Sequence, residues 1–258
     1  MSFDLVRLQA ELAGEHLFGE LLYRDHIDST MELARERAEA GAPEGTLVIA
    51  GRQSAGRGRR GRGWESPPGG VWFSLLLRPP IAACKAGCLS VLLAVAAAQA
   101  LRRCYGLPVR VKWPNDLLLE RRKLAGVLSE LATVDGQILW LVAGMGINVN
   151  NVLPEGARIP PISLTQVLGH PVRLESCLAL VLGEIASYYQ QFLREGFEPV
   201  RAHWSEFSAL DDGVWVRQGA KNFAAQVKGL SEMGKLIVEH DGRLEELSAA
   251  EVALSPVG

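Results

Sequence analysis

The stretch GRQSAGRGRRGRGW, residues 51 to 64, sets five glycines and five arginines among fourteen residues without one acidic group. Glycine lets backbone approach a ligand closely, because it has no Cβ and reaches positive φ cheaply. Guanidinium forks present fixed N–H donors matched to carboxylate and phosphate oxygens. This composition points to a small anionic ligand; the bland alternative is a solvated basic loop that binds nothing. A second group stands at Lys112-Trp113-Pro114-Asn115-Asp116, where a cation, an aromatic, an amide and a carboxylate share one turn. Such a set is costly to bury without a ligand or partner, although a surface turn around a packed tryptophan needs neither. Lys123 opens an apolar run close to Gly126, so its ammonium can meet a ligand where the backbone is open. Alone, it reads equally as a solvated lysine.

The flanks decide what the glycine-arginine loop is. Gly56, Gly58 and Gly61 satisfy GxGxxG, but a dinucleotide fingerprint must run into a helix, and Pro67-Pro68-Gly69-Gly70 follows instead. Gly56 to Gly61 also has P-loop spacing, yet Arg62 and Gly63 stand where Lys and Ser or Thr belong. A disordered arginine-glycine RNA binder lacks apolar flanks, whereas Thr46 to Ala50 and Val71 to Leu77 are strand-like apolar runs. The loop therefore joins two strands of a folded domain.

The chain as a whole sets the limits. With 258 residues, 48% of them hydrophobic, it can bury a full core in one large domain or two unequal ones. A formal net charge of −2 argues against wholesale attraction to nucleic acid and leaves the basic loop a local field. Cys84, Cys88, Cys104 and Cys177 form no CxxC pair and have no histidine nearby to complete a zinc site. They read as free thiols in a reducing cytosol, and no metal ligand set is expected. No charged segment followed by an apolar one opens the chain, so no secretory signal is expected. Leu89 to Leu101 is the most apolar segment but is too short to span a membrane, and reads as a core helix.

Elements follow from periodicity and punctuation. A short amphipathic helix is predicted over Leu5 to Leu12 and a first strand over Leu21 to His26. A helix opens at Asp28-Ser29-Thr30-Met31-Glu32, where Ser29 and Glu32 fit a capping box, and Gly41 with Pro43 ends it. After the loop strands come a long helix from Cys84 to Tyr105, a strand from Val109 to Lys112, and its continuation at Leu117 to Leu119. The strand begun at Lys123 turns at Asp135-Gly136 into another that reaches Asn150. Short turns between consecutive strands imply a largely antiparallel sheet. Residues 151 to 161 are turn-rich, and Leu174 to Glu195 is a long helix. From Leu210 the chain changes to short strands cut by Asp-Gly, Gln-Gly and Met-Gly pairs, ending at Val252 to Leu254. A boundary near Phe207 divides a larger domain, residues 1 to 207, from a small β-barrel, residues 208 to 258.

Together these segments resemble the catalytic domain of biotin protein ligases. The family's glycine-arginine signature stands as GRGRRGRGW at 56 to 64, followed by KWPNDLLL at 112 to 119, KLAGVLSEL at 123 to 131 and GMGINVN at 144 to 150. The likeness runs from about residue 25 to the C-terminus, where Gly234-Lys235-Leu236 and Glu251-Val252 look like the family's terminal barrel. It implies an α+β fold, with a central, largely antiparallel mixed sheet flanked by helices of the class II synthetase-like kind, plus a small SH3-like barrel.

The resemblance further implies two steps. The carboxylate of biotin attacks the α-phosphate of ATP to give biotinyl-5′-AMP and pyrophosphate; a lysine amine of a biotin carboxyl carrier protein then displaces AMP. Two anions must meet before the first bond forms, which clustered cations in a water-poor site allow. Arg57, Arg59 and Lys123 are expected to hold the carboxylate and phosphate at attack distance, and Gly56, Gly58 and Gly126 to admit biotin. Ser29, Thr30 and Gln53 match positions that bind its ureido end. Arg60, Arg62 and Trp64 are expected over ATP, with Trp64 stacking on adenine, and Lys112, Asn115 and Asn148 on its polar side. Asp116 is the expected orienter or proton acceptor for the incoming amine. Mg²⁺ is expected with ATP, without a fixed protein ligand. Ala55 to Gly63 is expected to order over the adenylate and shield it from water. A homodimer is also expected, with no nucleic-acid or membrane partner.

Two positions depart from the family pattern: Met31 stands where Asn usually follows Ser-Thr, and Met145 where a small or β-branched residue is usual. Two other readings compete. A lipoate protein ligase is similar in fold and also makes an acyl-adenylate, but a ureido ring wants polar partners where a dithiolane wants apolar ones. A biotin-responsive repressor shares this catalytic domain but needs a winged-helix domain, for which the residues before 25 leave no room.

Overall fold

Alternation along one strand organises the molecule. In the computed structural model, which describes residues 3–210, 213–218, 221–248 and 251–254, Val71, Phe73, Leu75 and Leu77 belong to the main core, while Leu76 joins a second, smaller cluster. The strand is thus buried on both sides, as one sandwiched between helix layers must be.

The elements run α1 (Leu5–Glu11), β1 (Leu21–Arg24), α2 (Thr30–Glu39), β2 (Leu47–Ala50), β3 (Val71–Leu77), α3 (Ala86–Tyr105), β4 (Arg110–Lys112), β5 (Asp116–Leu119), β6 (Arg122–Val134) and β7 (Gln137–Ile147). After them come α4 (Leu164–Leu168), α5 (Leu174–Glu195), α6 (Glu198–Ala202), α7 (Trp204–Phe207), and the strands β8 (Val214–Gln218), β9 (Lys221–Leu230), β10 (Leu236–His240), β11 (Arg243–Leu247) and β12 (Glu251–Leu254). A seven-stranded sheet has the order β1-β2-β3-β7-β6-β5-β4. Only the β1–β2 pair among these is parallel, so the expectation of a largely antiparallel mixed sheet holds.

Helices α3 and α5 cover the main-core face, and α3 is the apolar helix read from sequence, buried from Cys88 to Ala98 almost without interruption. It is long and apolar enough to cross a membrane, but most of it lies inside the protein. On the other face α2 lays Met31, Ala34 and Ala38 against Val48, Leu76, Trp140 and Val142. It covers only part of that face. Beyond it the strands carry small residues: Gly126 pairs with Gly146 and Leu128 with Gly144. Side chains at i and i+2 share a face, so a trough of glycines is left open beside the N-terminus of α2.

One local expectation fails. Ser29 is the N-cap of α2, but its side chain makes no capping hydrogen bond and its Oγ is buried without a partner. The Thr30 amide instead donates to Gln53 Oε1 at 2.8 Å, so a residue from the loop strand does the capping. The capping box of Ser29 and Glu32 is not formed.

The last five strands make an antiparallel sheet, order β11-β10-β9-β8-β12. The segment leading into it and the turn between β9 and β10 hold it to the larger part. Ala209 N–H donates to Val111 O at 2.8 Å, Trp113 Nε1 donates to Gly234 O at 3.0 Å, and Cys88 Sγ donates to Glu232 O at 3.3 Å. The turn pairs read at Asp212-Gly213 and Gln218-Gly219 include residues outside the described set, as does the side chain of Glu251.

Candidate active site

The open trough is the floor of a cavity of about 660 Å³. Its walls come from the arginine loop, the turn after β4, the start of β6 and residues 154–161, with Val252 of β12 at one edge. Arg57, Gly58, Arg59, Arg60, Arg62, Trp64, Lys112, Asn115, Asp116, Lys123, Gly126 and Asn148 all line it, together with Thr30 and Gln53. Ser29 and Gly56 do not.

The loop is a hairpin stitched to itself. Trp64 N–H donates to Gly56 O at 2.8 Å and Gly58 N–H to Arg62 O at 2.7 Å, with an antiparallel bridge between Arg57 and Gly63. Its tip, Arg59 to Gly61, is a short helical turn in which Arg60 takes φ 59°. Gly56 is required by this closure: any Cβ there would run into the Trp64 carbonyl oxygen. At the root, Ser74 Oγ donates to Thr30 Oγ1 at 2.8 Å, Thr30 Oγ1 to Gln53 Oε1 at 3.1 Å, Gln53 Nε2 to Ser66 Oγ at 2.8 Å, and Ser66 Oγ to Trp64 O at 3.2 Å. A chain of donors this complete fixes which way the Gln53 amide faces.

The charged groups converge next. Lys123 Nζ lies 2.8 Å from Asp116 Oδ1, brought there by the β5–β6 ladder, in which Asp116 pairs with Gly126. Arg59 Nη1 donates to Asn115 Oδ1 at 3.0 Å, and Asn115 Nδ2 donates to Val127 O at 2.7 Å, so the amide is held at both ends. Lys112 is the cross-strand partner of Asp116. Burial pushes its ammonium below the ordinary lysine pKa; Asp116 opposes that, while Lys123, Arg158 and Arg59 push it further down.

Lys123 is held from behind as well. Its N–H donates to Pro160 O at 2.8 Å and its carbonyl accepts from Ile162 N at 3.0 Å. Asn148, buried, donates from Nδ2 to Lys123 O at 3.3 Å and accepts from Asn151 Nδ2 at 3.1 Å. Residues 154–161 escaped the sequence reading, which found only turns there; the run of eight cavity-lining residues from Pro154 to Pro161 has no periodic signal to betray it.

Two sequence-assigned groups have partners that the sequence did not announce. Trp64 lies down on the trough floor, where a Cβ at Gly146 would collide with its Nε1. Lys123 Nζ stands 4.9 Å from the centroid of the indole ring, within cation–π range, and Trp72 meets the ring edge-on at 6.5 Å. Its Nε1 proton is buried and unpartnered in the protein. Arg57 forms an ion pair with Glu130 at 2.7 Å; the carboxylate partner was not legible because it lies in a strand otherwise read for its apolar residues. Met31 is buried with its Sδ over Gly144, and Met145 is buried in the core.

A mixed sheet carrying a glycine trough, roofed by an arginine hairpin over a lysine–aspartate pair, is the site of an enzyme that handles anions. Residues 23–148 match the profile of the biotin/lipoate A/B protein ligase family. The bifunctional ligase/repressor BirA of Bacillus subtilis is 34% identical over 253 residues, spanning 96% of this chain and 76% of that one. The biotin–[acetyl-CoA-carboxylase] ligase of Paracoccus denitrificans is 34% identical over 212 residues, 80% of this chain and 88% of the other. A solved structure of the biotin protein ligase from Aquifex aeolicus in complex with biotin and ATP superposes with a TM-score of 0.80 at 29% identity, covering 92% of this chain and all of that one. The chain belongs to the biotin/lipoate A/B protein ligase family, among its biotin protein ligases.

Proposed function

We propose that this enzyme activates biotin with ATP as biotinyl-5′-AMP and passes the biotinyl group to a lysine of a biotin carboxyl carrier protein. The observation that carries the reading is the meeting of Lys123, Asp116, Arg59 and Asn115 at one end of a glycine-floored trough. In the first step a biotin carboxylate oxygen bonds to the α-phosphorus and the bond to the β-phosphate bridging oxygen breaks, releasing pyrophosphate. Lys123, Arg59 and Lys112 would balance the charge that gathers there. Thr30 and Gln53 present a fixed polar edge at the trough's other end, suited to a ureido group, and Trp64 a flat apolar floor for the bicyclic body. Asn115 and Asn148 would shape the nucleotide side, with Arg60 and Arg62 above. Mg²⁺ would accompany ATP as a screen for its phosphates, without an assigned protein ligand.

In the second step the carrier amine attacks the acyl carbon, the acyl C–O bond to AMP breaks, and the amine loses a proton. Asp116 is the carboxylate placed to orient that amine or take the proton. The reading includes a two-part chain divided near residue 207, a homodimer and a cytoplasmic setting; free thiols at Cys84, Cys88, Cys104 and Cys177 support the last. The net charge of −2 gives no support to nucleic-acid binding. The test is incubation with biotin, Mg-ATP and a carrier domain. A carrier heavier by one biotinyl group, dependent on its acceptor lysine, supports the proposal; no modification with biotin but modification with lipoate would replace it with the lipoate reading.

A further inference from the structure

We propose that Arg57 and Glu130 are a positioning pair that fastens the base of the arginine hairpin to the sheet, so that the Arg57 side chain serves the reaction by holding the loop. The contact is a two-point fork: Arg57 Nη2 lies 2.7 Å from Glu130 Oε1 and Nη1 lies 3.4 Å from Oε2. That geometry suits a planar guanidinium and a carboxylate. Glu130 stands on the trough face of β6 in the series Gly126, Leu128, Glu130, but outside the cavity lining. It lies seven residues beyond Lys123 on the strand, about 23 Å along the backbone at about 3.3 Å per residue.

Arg57 is well placed to hold the loop. It bridges to Gly63 across the hairpin, directly beside the Trp64 to Gly56 hydrogen bond. Restraining it therefore restrains both arms at once. The tip is tied separately, through Arg59 to Asn115. Glu130 thus sets where the base of the hairpin sits over the trough while Arg59 is presented to the reacting groups. Both side chains are partly exposed, 43% for Arg57 and 27% for Glu130, so the pair is modest in strength and its removal loosens the loop without unfolding the sheet.

The catalytic consequence rests on the ligase reading, but the fastening does not. The variants are Glu130→Gln, Arg57→Gln, the double neutral variant, and the reversed pair Arg57→Glu with Glu130→Arg. Trypsin cleavage within residues 59–62 of the ligand-free protein reports the loop, and biotin-dependent pyrophosphate exchange reports the reaction. We expect Glu130→Gln to be cut about three- to fivefold faster than the parent and to raise the KM for biotin by a similar factor, with kcat nearly unchanged. The double neutral variant is expected to be no worse than either single one, and the reversed pair to regain most of the protection and KM lost in Arg57→Glu. Glu130→Asp, which keeps the charge on a shorter arm, should fall between. A large kcat loss in Arg57→Gln beside unchanged behaviour in Glu130→Gln, or a reversed pair as impaired as Arg57→Glu, would overturn the proposal. Absence of exchange in the parent protein would sink the ligase reading and leave the trypsin comparison standing.

Discussion

Lys123 Nζ stands 2.8 Å from Asp116 Oδ1, so the cation proposed to bring two anions together is paired with the carboxylate proposed to serve the second step. The pair resolves a conflict within the site, since Lys112, Arg59 and Lys123 otherwise crowd like charges into one corner. Substrate anions would then take over part of the role of Asp116, releasing it toward an incoming amine.

Removing the ammonium should stop the first step. Lys123→Ala is expected to lower pyrophosphate exchange by at least about 100-fold, the scale seen when one preorganised charge-stabilising donor is lost. The fold should persist, because the group is partly exposed and its strand is held by backbone pairing. Exchange kinetics alongside circular dichroism would check both halves of this expectation.

Asp116→Ala separates the two half-reactions. Adenylate formation should suffer less than transfer to carrier lysine, because the remaining cations still meet the phosphates while the amine loses its carboxylate. Single-turnover transfer from preformed biotinyl-AMP, compared with pyrophosphate exchange, measures the split; equal losses would remove Asp116 from that role.

How much of this was legible in the sequence depends on how far apart the interacting residues lie. Asp135-Gly136 announced its hairpin because the turn is local, with both residues at positive φ. The long helices α3 and α5 announced themselves by periodicity. The short helices α4, α6 and α7 carry too few turns to show any. The cap of α2 was misassigned because the acceptor for the Thr30 amide is Gln53, 23 residues away, and no local pattern can outbid a tertiary partner. Motif residues were found as a set; their pairings, Arg59 with Asn115 and Arg57 with Glu130, appeared only once β5 and β6 were folded beneath the hairpin.

The trough floor offers a packing test. Gly146→Ala places a methyl group into the Trp64 indole, and overpacking of this kind costs about 1–3 kcal/mol unless the neighbour moves. Displacement of the indole should raise the KM for biotin severalfold and change the near-ultraviolet circular dichroism of Trp64. An unaltered KM with an altered spectrum would dissociate the indole from the biotin pocket.

Lys112 gives the site a pH signature. Its pKa is lowered in the folded protein, chiefly by burial, so it loses its charge at lower pH than an ordinary lysine. Between its lowered value and the unfolded value the unfolded chain binds more protons, and this group's contribution to stability therefore rises with pH. Its attraction for phosphate falls over the same rise. The KM for ATP should accordingly climb as pH passes the lowered Lys112 pKa, and Lys112→Arg, which stays charged, should delay the climb. Identical profiles for the two proteins would rule Lys112 out as the titrating group.

The most direct measurement is native mass spectrometry of the purified protein after incubation with biotin and Mg-ATP, with lipoate as the parallel sample. Retention of a ligand with the mass of biotinyl-AMP, lost in Lys123→Ala and absent with lipoate, is the expected result. A protein that carries no adenylate with biotin, or that accumulates the lipoyl adenylate instead, would contradict the convergence of Lys123, Arg59 and Asp116 as a biotin-activating centre.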